Sequence, residues 1–139
     1  MLIILEIITI VVVDDFFLSV ICNALDFPLT VTKILIATGI NDGKAVSTVE
    51  IIDMSLDDDD QCFNWADYPL ALQGATGGLL GKTPVICGGK SLQGQDINEC
   101  YSFNGETSKF VTKMSKSRGG GASIVLNETI LWITGGNGK

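Results

Sequence analysis

A short apolar run that ends abruptly in glycine occurs three times in this 139-residue chain. The three copies are Leu35-Ile36-Ala37-Thr38-Gly39, Pro84-Val85-Ile86-Cys87-Gly88-Gly89 and Leu131-Trp132-Ile133-Thr134-Gly135-Gly136. Aligned on Gly39, Gly88 and Gly135, they recur after 49 and 47 residues. A repeat of that length marks propellers and solenoids, in which a unit buries its faces only against its neighbours. No other feature constrains the fold as strongly.

The segments between the glycines read as strands and turns. Ile34-Leu35-Ile36-Ala37 is a continuous apolar run, as a buried strand is. Asn41-Asp42-Gly43 is turn chemistry, and Ser47-Thr48-Val49-Glu50-Ile51-Ile52-Asp53 is the β-branched strand that closes the hairpin. In the second unit Val85-Ile86-Cys87 is the strand, residues 91–96 are a polar loop, and Asn98-Glu99-Cys100-Tyr101-Ser102 returns. Glu99 stands 49 residues after Glu50. Asn104-Gly105 marks a tight turn before an outer strand at Lys109-Phe110-Val111. Residues 62–68 read as the outer strand of the first unit. In the third unit Gly121-Ala122-Ser123 matches Gly74-Ala75-Thr76. Two strands follow, Ile124-Val125-Leu126 and residues 130–134, joined by a turn at Asn127-Glu128.

Several chemistries are excluded. The net charge of −7 repels phosphate backbones and anionic lipid. With no histidine, the chain forms no Ser-His-Asp triad, no Cys-His pair and no histidine-ligated metal site. Asp57-Asp58-Asp59-Asp60 lacks the alternating ligands and turn glycine of a calcium loop, so it reads as a solvated acidic loop. Gly81-Lys82-Thr83 resembles the end of a phosphate loop. However, Thr76 stands where that motif needs its first glycine, and Pro84 and a strand follow where it needs a helix. No cofactor is expected.

The first 24 residues read as a signal peptide, with Cys22 and Ala24 at the two restricted positions before a cleavage site. The acids Glu6, Asp14 and Asp15 interrupt the apolar segment. The alternatives are a membrane anchor, giving membrane contact only if the segment is retained, or an untargeted strand-like lead-in. The remainder, residues 25–139, divides into units at about 32–69, 73–115 and 118–139.

These residues resemble kelch repeats, in which an apolar strand ends in a double glycine, a tyrosine lies on the next strand and a tryptophan on the outer one. Gly88-Gly89 and Tyr101 match in the middle unit, where Phe110 takes the tryptophan position. In the first unit Gly39-Ile40 replaces the double glycine, Ile52 replaces the tyrosine, and Trp65 is the candidate outer aromatic. Gly135-Gly136 matches in the third. The resemblance implies an all-β fold: a partial kelch-type β-propeller of about two four-stranded antiparallel blades plus the start of a third. Closed propellers have about four to eight blades. The chain is therefore expected to be a fragment or to self-associate through open blade edges, and in recombinant form to aggregate or oligomerise. Gly39, Gly88, Gly89, Gly135, Gly136 and Tyr101 are expected to be structural, the glycines serving crowded backbone.

Cys87 and Cys100 fall on strands expected to be antiparallel neighbours, close enough to bridge, and Cys62 competes for either. A reactive thiolate needs a nearby cation, and Lys90 is the one candidate close in sequence. With the sequon at Asn127, the cysteines favour secretion, a cytoplasmic location being the alternative. The resemblance implies a non-catalytic module that binds a protein or glycan, with Asn41-Asp42-Gly43 and residues 91–96 as the contacting loops. Two other readings stand beside it. One is part of a secreted oxidase-like enzyme with its catalytic residues elsewhere. The other is an intracellular adaptor or actin binder. Thiol counting separates the last from the first.

Overall fold

The computed structural model describes residues 8–13, 33–53, 55–56 and 62–138. Asp57-Asp58-Asp59-Asp60 and all of the expected signal segment except residues 8–13 lie outside them. The described elements are β1 (Ile8–Val13), β2 (Lys33–Asn41), β3 (Lys44–Asp53), β4 (Cys62–Asn64), β5 (Leu72–Gln73), β6 (Thr76–Leu80), β7 (Thr83–Cys87), β8 (Lys90–Ser91), β9 (Glu99–Phe103), β10 (Ser108–Lys113), β11 (Gly119–Leu126) and β12 (Ile130–Asn137). The fold is all-β, with no helix among the described residues.

The strands form three sheets. The first runs β1-β2-β3-β5-β8, with β4 also paired to β3; the second is the four-stranded antiparallel meander β6-β7-β9-β10; the third is the hairpin β11-β12. Within the first unit's expected span the chain supplies β2, β3 and a β4 shorter than expected. The fourth place beside β2 is taken by β1, paired in parallel.

Hairpin turns follow local chemistry. Asp42-Gly43 and Asn127-Glu128 have positive φ at both central residues, the type I′ geometry that suits the right-handed twist of paired strands. At the β9–β10 turn Asn104 Oδ1 accepts the N–H groups of Glu106 and Thr107, at 3.0 and 2.8 Å, an Asx turn.

The second sheet lies between the other two in packing. Side chains alternate between the faces of a strand, so Ile86 joins Phe103 against Leu35, Ala37, Val49 and Ile51 of the first sheet. Its neighbours Val85 and Cys87, with Cys100, face Leu131 and Ile133 of the third. The inner strand β6 contacts both β1 and β11. Thr76 and Ser123, which the repeat had paired, meet there: Thr76 Oγ1 donates to Ser123 Oγ (2.7 Å), which donates to the Gly77 carbonyl (2.6 Å).

The backbone corrects one alignment. Gly88-Gly89 and Gly135-Gly136 both have positive φ at both residues, and the first-unit pair with that property is Thr38-Gly39, at 61° and 129°. The counterpart of the double glycine is Thr38-Gly39, so Gly39-Ile40 is displaced by one residue. Face direction agrees: Ala37 packs toward the second sheet as Cys87 packs toward the third. At Gly88 a Cβ would overlap the Arg118 carbonyl and lie 2.9 Å from Met114 Cε, so both φ and crowding require glycine there.

Candidate functional site

The ends of strands from the first and third sheets enclose a small cleft of about 220 Å³. Ile40 comes from β2, Gln73 from β5, Lys90 from β8 and Asn137 from β12, and Asp96 and Gly120 complete the rim. The two-residue strands β5 and β8 position it. Leu72 and Gln73 pair with Ser91 and Lys90, and Leu72 also pairs with Val46 of β3. Leu72 is buried and anchors the ladder. Gly120 N–H donates to the Gly74 carbonyl at 2.8 Å, which ties β11 to the link between β5 and β6 at this end.

Polar groups on the rim are fixed. Lys90 Nζ lies 3.7 Å from Asp96 Oδ1, and the two residues also form a β-bridge. The loop over residues 91–96 is closed by its own hydrogen bonds: Ser91 N–H to the Gln95 carbonyl (2.9 Å), Gly94 N–H to the Ser91 carbonyl (2.8 Å), and Gln95 N–H to Ser91 Oγ (3.2 Å). Of the two expected contact loops, residues 91–96 reach the cleft through Asp96, whereas Asn41-Asp42-Gly43 does not line it and only the preceding Ile40 does. The arrangement offers one ammonium, one carboxylate, amides and backbone carbonyls, a set suited to hydrogen-bonding a polar ligand. No group of three or more potential metal-ligating side chains occurs among the described residues.

Cys87 and Cys100, directly opposite in the β7–β9 register, form a disulfide with Cα atoms 4.1 Å apart. Cys62 is also disulfide-bonded, to neither of them. The buried Cys87 is therefore not a free thiol, and the expected competition with Cys62 does not arise.

Tyr101 is half-buried, its ring edge-on to Tyr68 (6.2 Å) and Phe110 (5.9 Å). Its hydroxyl donates to Glu99 Oε2, and Lys113 Nζ lies 3.1 Å from Glu99 Oε1. Those partners hold the Glu99 carboxyl below its ordinary range, the Tyr101 hydrogen bond contributing most, while the same bond raises Tyr101. Burial pushes the Tyr68 hydroxyl up, with the charges of Tyr101 and Glu99 adding to it. Trp65 lies just beyond β4, where it packs edge-on to Phe103 at 5.8 Å and covers Gly105. Phe110, by contrast, is exposed.

Sequence reasoning missed Tyr68, Phe103 and the β5–β8 ladder. Phe103 directly precedes the Asn104-Gly105 turn and continues the face of Tyr101, which is the signal that could have placed it. The sequon residue Asn127 is exposed at the tip of the β11–β12 hairpin. Gly81-Lys82 is the turn between β6 and β7 and Thr83 opens β7, so strands lie on both sides. No helix among the described residues is long and apolar enough to cross a membrane.

No protein-family model matches the chain, and no curated protein matches it. Among solved structures, the chain is similar to that titled "Structure of YjhT", with a TM-score of 0.64 and 16% identity over 78% of this chain. The match spans about a third of that structure's length, 36%. At that identity the likeness concerns the fold alone.

Proposed function

We propose that this chain is a non-catalytic, kelch-type binding module, part of a β-propeller, that holds a protein or glycan partner in the cleft beside residues 91–96. The observation that carries the reading is the convergence of the first and third sheets on one cleft with a Lys90–Asp96 pair at its rim. Loops gathered at one end of a rigid β scaffold are where binding residues concentrate. The propeller reading is supported by the three positive-φ pairs, the side-by-side inner strands and the fold-level likeness to YjhT. The choice of partner does not follow from the fold.

The module acts outside the cell. The buried Cys87–Cys100 bridge fits an oxidising compartment, and Asn127 is accessible to glycosylation.

Screening the secreted chain on glycan and extracellular-protein arrays tests this reading. Binding that falls at least tenfold in Lys90→Ala and Asp96→Ala, with unchanged circular dichroism, supports it. Binding indifferent to both substitutions overturns the cleft, and turnover of any arrayed ligand overturns the non-catalytic assignment. Thiol counting on protein from secreting cells should find Cys87 and Cys100 unreactive; fully free thiols favour the intracellular adaptor.

A further inference from the structure

The third sheet has two strands where the second has four. Among the described residues β12 pairs with β11 on one side and with no strand on the other. Such an edge is a template for another strand. Beside it lies a cavity of about 450 Å³. Val85, Cys87 and Cys100 of the second sheet form its floor, Leu131 and Ile133 of β12 one wall, and Lys113 and Arg118 contribute cations. Arg118 Nη1 donates to the Gly135 carbonyl at 2.7 Å, which places its guanidinium at the open edge.

The second sheet shows what occupies the equivalent place one repeat earlier. There β9 lies antiparallel on β7, with Tyr101 opposite Ile86, and Gly88 N–H donates to the Glu99 carbonyl at 3.0 Å. Glu99 and Tyr101 project from the same face of β9 and bond to each other. On β12 the counterparts of Ile86 and Gly88 are Ile133 and Gly135. A strand added in the β9 register therefore sets one residue opposite Ile133, over the Cys87–Cys100 bridge. Two residues before it, another side chain falls opposite Gly135, beside Arg118. An aromatic or branched aliphatic side chain suits the first position, and a carboxylate suits the second.

We propose that the open edge of β12 and the adjoining cavity bind an extended peptide strand with a Glu-x-Tyr pattern, added antiparallel to β12. The chain supplies the precedent in Glu99-Cys100-Tyr101, which sets Tyr101 opposite Ile86 and Glu99 beside Gly88 on the neighbouring hairpin. Main-chain bonds to β12 supply affinity, and the glutamate and the residue that fills the cavity supply specificity. This inference rests on the second and third sheets alone. It stands or falls separately from ligand binding at the Lys90–Asp96 cleft.

The probe is a synthetic peptide of residues 96–105 carrying Cys100→Ser, titrated into the full chain while amide hydrogen exchange is followed. Amides of residues 131–136 that point away from β11 should slow at least tenfold at saturation. A peptide also carrying Glu99→Lys should bind the wild-type chain at least tenfold more weakly, and should regain affinity for an Arg118→Glu chain. Lys113→Glu, which leaves the Gly135 contact intact, is the second charge variant and should weaken the parent peptide in the same direction. Protection along β12 that appears with protein concentration alone overturns it, because a second copy then covers the edge and its own Glu99-Cys100-Tyr101 strand is held between β7 and β10. No slowing along β12, equal slowing by a scrambled peptide, or slowing confined to the β10 edge overturns it.

Discussion

Val85 and Trp132 occupy the same position of the repeat, 47 residues apart, on the second and third sheets. Both point away from the preceding sheet, yet Val85 is 4% exposed and Trp132 60%. Ile124, on the same outer face of the third sheet, is 58% exposed. Strand alternation sets which way each side chain points, and the presence of a next sheet sets whether that direction is buried. The second sheet has a neighbour on both faces, whereas the described residues give the third a neighbour on one. Stability is therefore concentrated around the second sheet.

The largest effect is expected at Phe103. It is 1% exposed, with Trp65 and Tyr68 edge-on to its ring at 5.8 and 6.0 Å, and it joins the first two sheets. Phe103→Ala should cost about 3–5 kcal/mol, read as a lower urea midpoint. A loss below about 1 kcal/mol would mean that the first and second sheets do not unfold together.

The disulfide comes next. It closes a short loop, with a sequence separation of 13, on the face the second sheet turns to the third. Cys87→Ala with Cys100→Ala should cost about 2–4 kcal/mol. If the third sheet depends on the second as the packing implies, amide protection in β11 and β12 should fall with it. Unchanged protection there would show that the β11–β12 hairpin is held by β6 alone.

Thr38 and Gly88 form a smaller contrast between the first and second units. A β-branched residue at positive φ is a genuine outlier, and Thr38 is fully buried with its Oγ1 lacking a hydrogen-bond partner among the described residues. Thr38→Gly relieves the backbone strain and removes the orphaned hydroxyl. Against this stands the entropy glycine adds to the unfolded chain, and the net gain should be about 1 kcal/mol. Thr38→Val separates the two terms, because it removes the hydroxyl and keeps the strain. A loss of stability in Thr38→Gly would mean that the methyl packing outweighs both.

Thr38 also shows where reading the chain from its residues stops. The all-β class, the hairpin turns at Asp42-Gly43 and Asn127-Glu128, and the cysteine pair were legible, because turn residues and β-branched runs act locally. Nothing in a threonine announces positive φ, so the first-unit repeat was aligned one residue late. Strands β5 and β8 have two residues each, too few to carry a period, and they exist because Val46 and Ser91 flank Leu72. That ladder builds the cleft, so residues 91–96 could be named as a contacting loop while Gln73 and Lys90 could not. Tyr68 sits in a segment without alternation, next to Pro69, and its burial depends on Phe103 and Tyr101 from another sheet.

Two carboxylates on β3 respond to pH with opposite sign. Asp53 Oδ1 accepts the Ser55 hydroxyl (2.6 Å) and amide (3.1 Å), and Lys33 lies 3.4 Å from its other oxygen. The Ser55 hydroxyl is the main cause that holds its pKa below the ordinary value, with Lys33 adding to it. The stability this gives is present above the unfolded value of about 4 and is lost as pH falls through the lower folded value. Glu50 is raised by burial, so its contribution favours the fold at acid pH and is lost as pH rises through the raised value. Asp53→Asn should therefore be less stable than wild type at pH 7, with the gap closing toward pH 3 in urea titrations. A gap constant across that range would show that Asp53 acts by shape alone.

The smallest effect on stability is expected where the comparison began. Trp132→Ser removes a large side chain with no sheet over it among the described residues, so unfolding free energy should change by no more than about 0.5 kcal/mol. Val85→Ser, at the same repeat position, strips a buried aliphatic group and should cost about 2–3 kcal/mol. Association should show the reverse order. An exposed apolar face is an association surface, so Trp132→Ser should lower the weight-average mass in sedimentation at high concentration, while mild Val85 variants such as Val85→Ala leave it unchanged. If Trp132→Ser instead unfolds the chain as readily as Val85→Ser does, the outer face of the third sheet is covered in solution. The two sheets would then be alike in having neighbours on both sides.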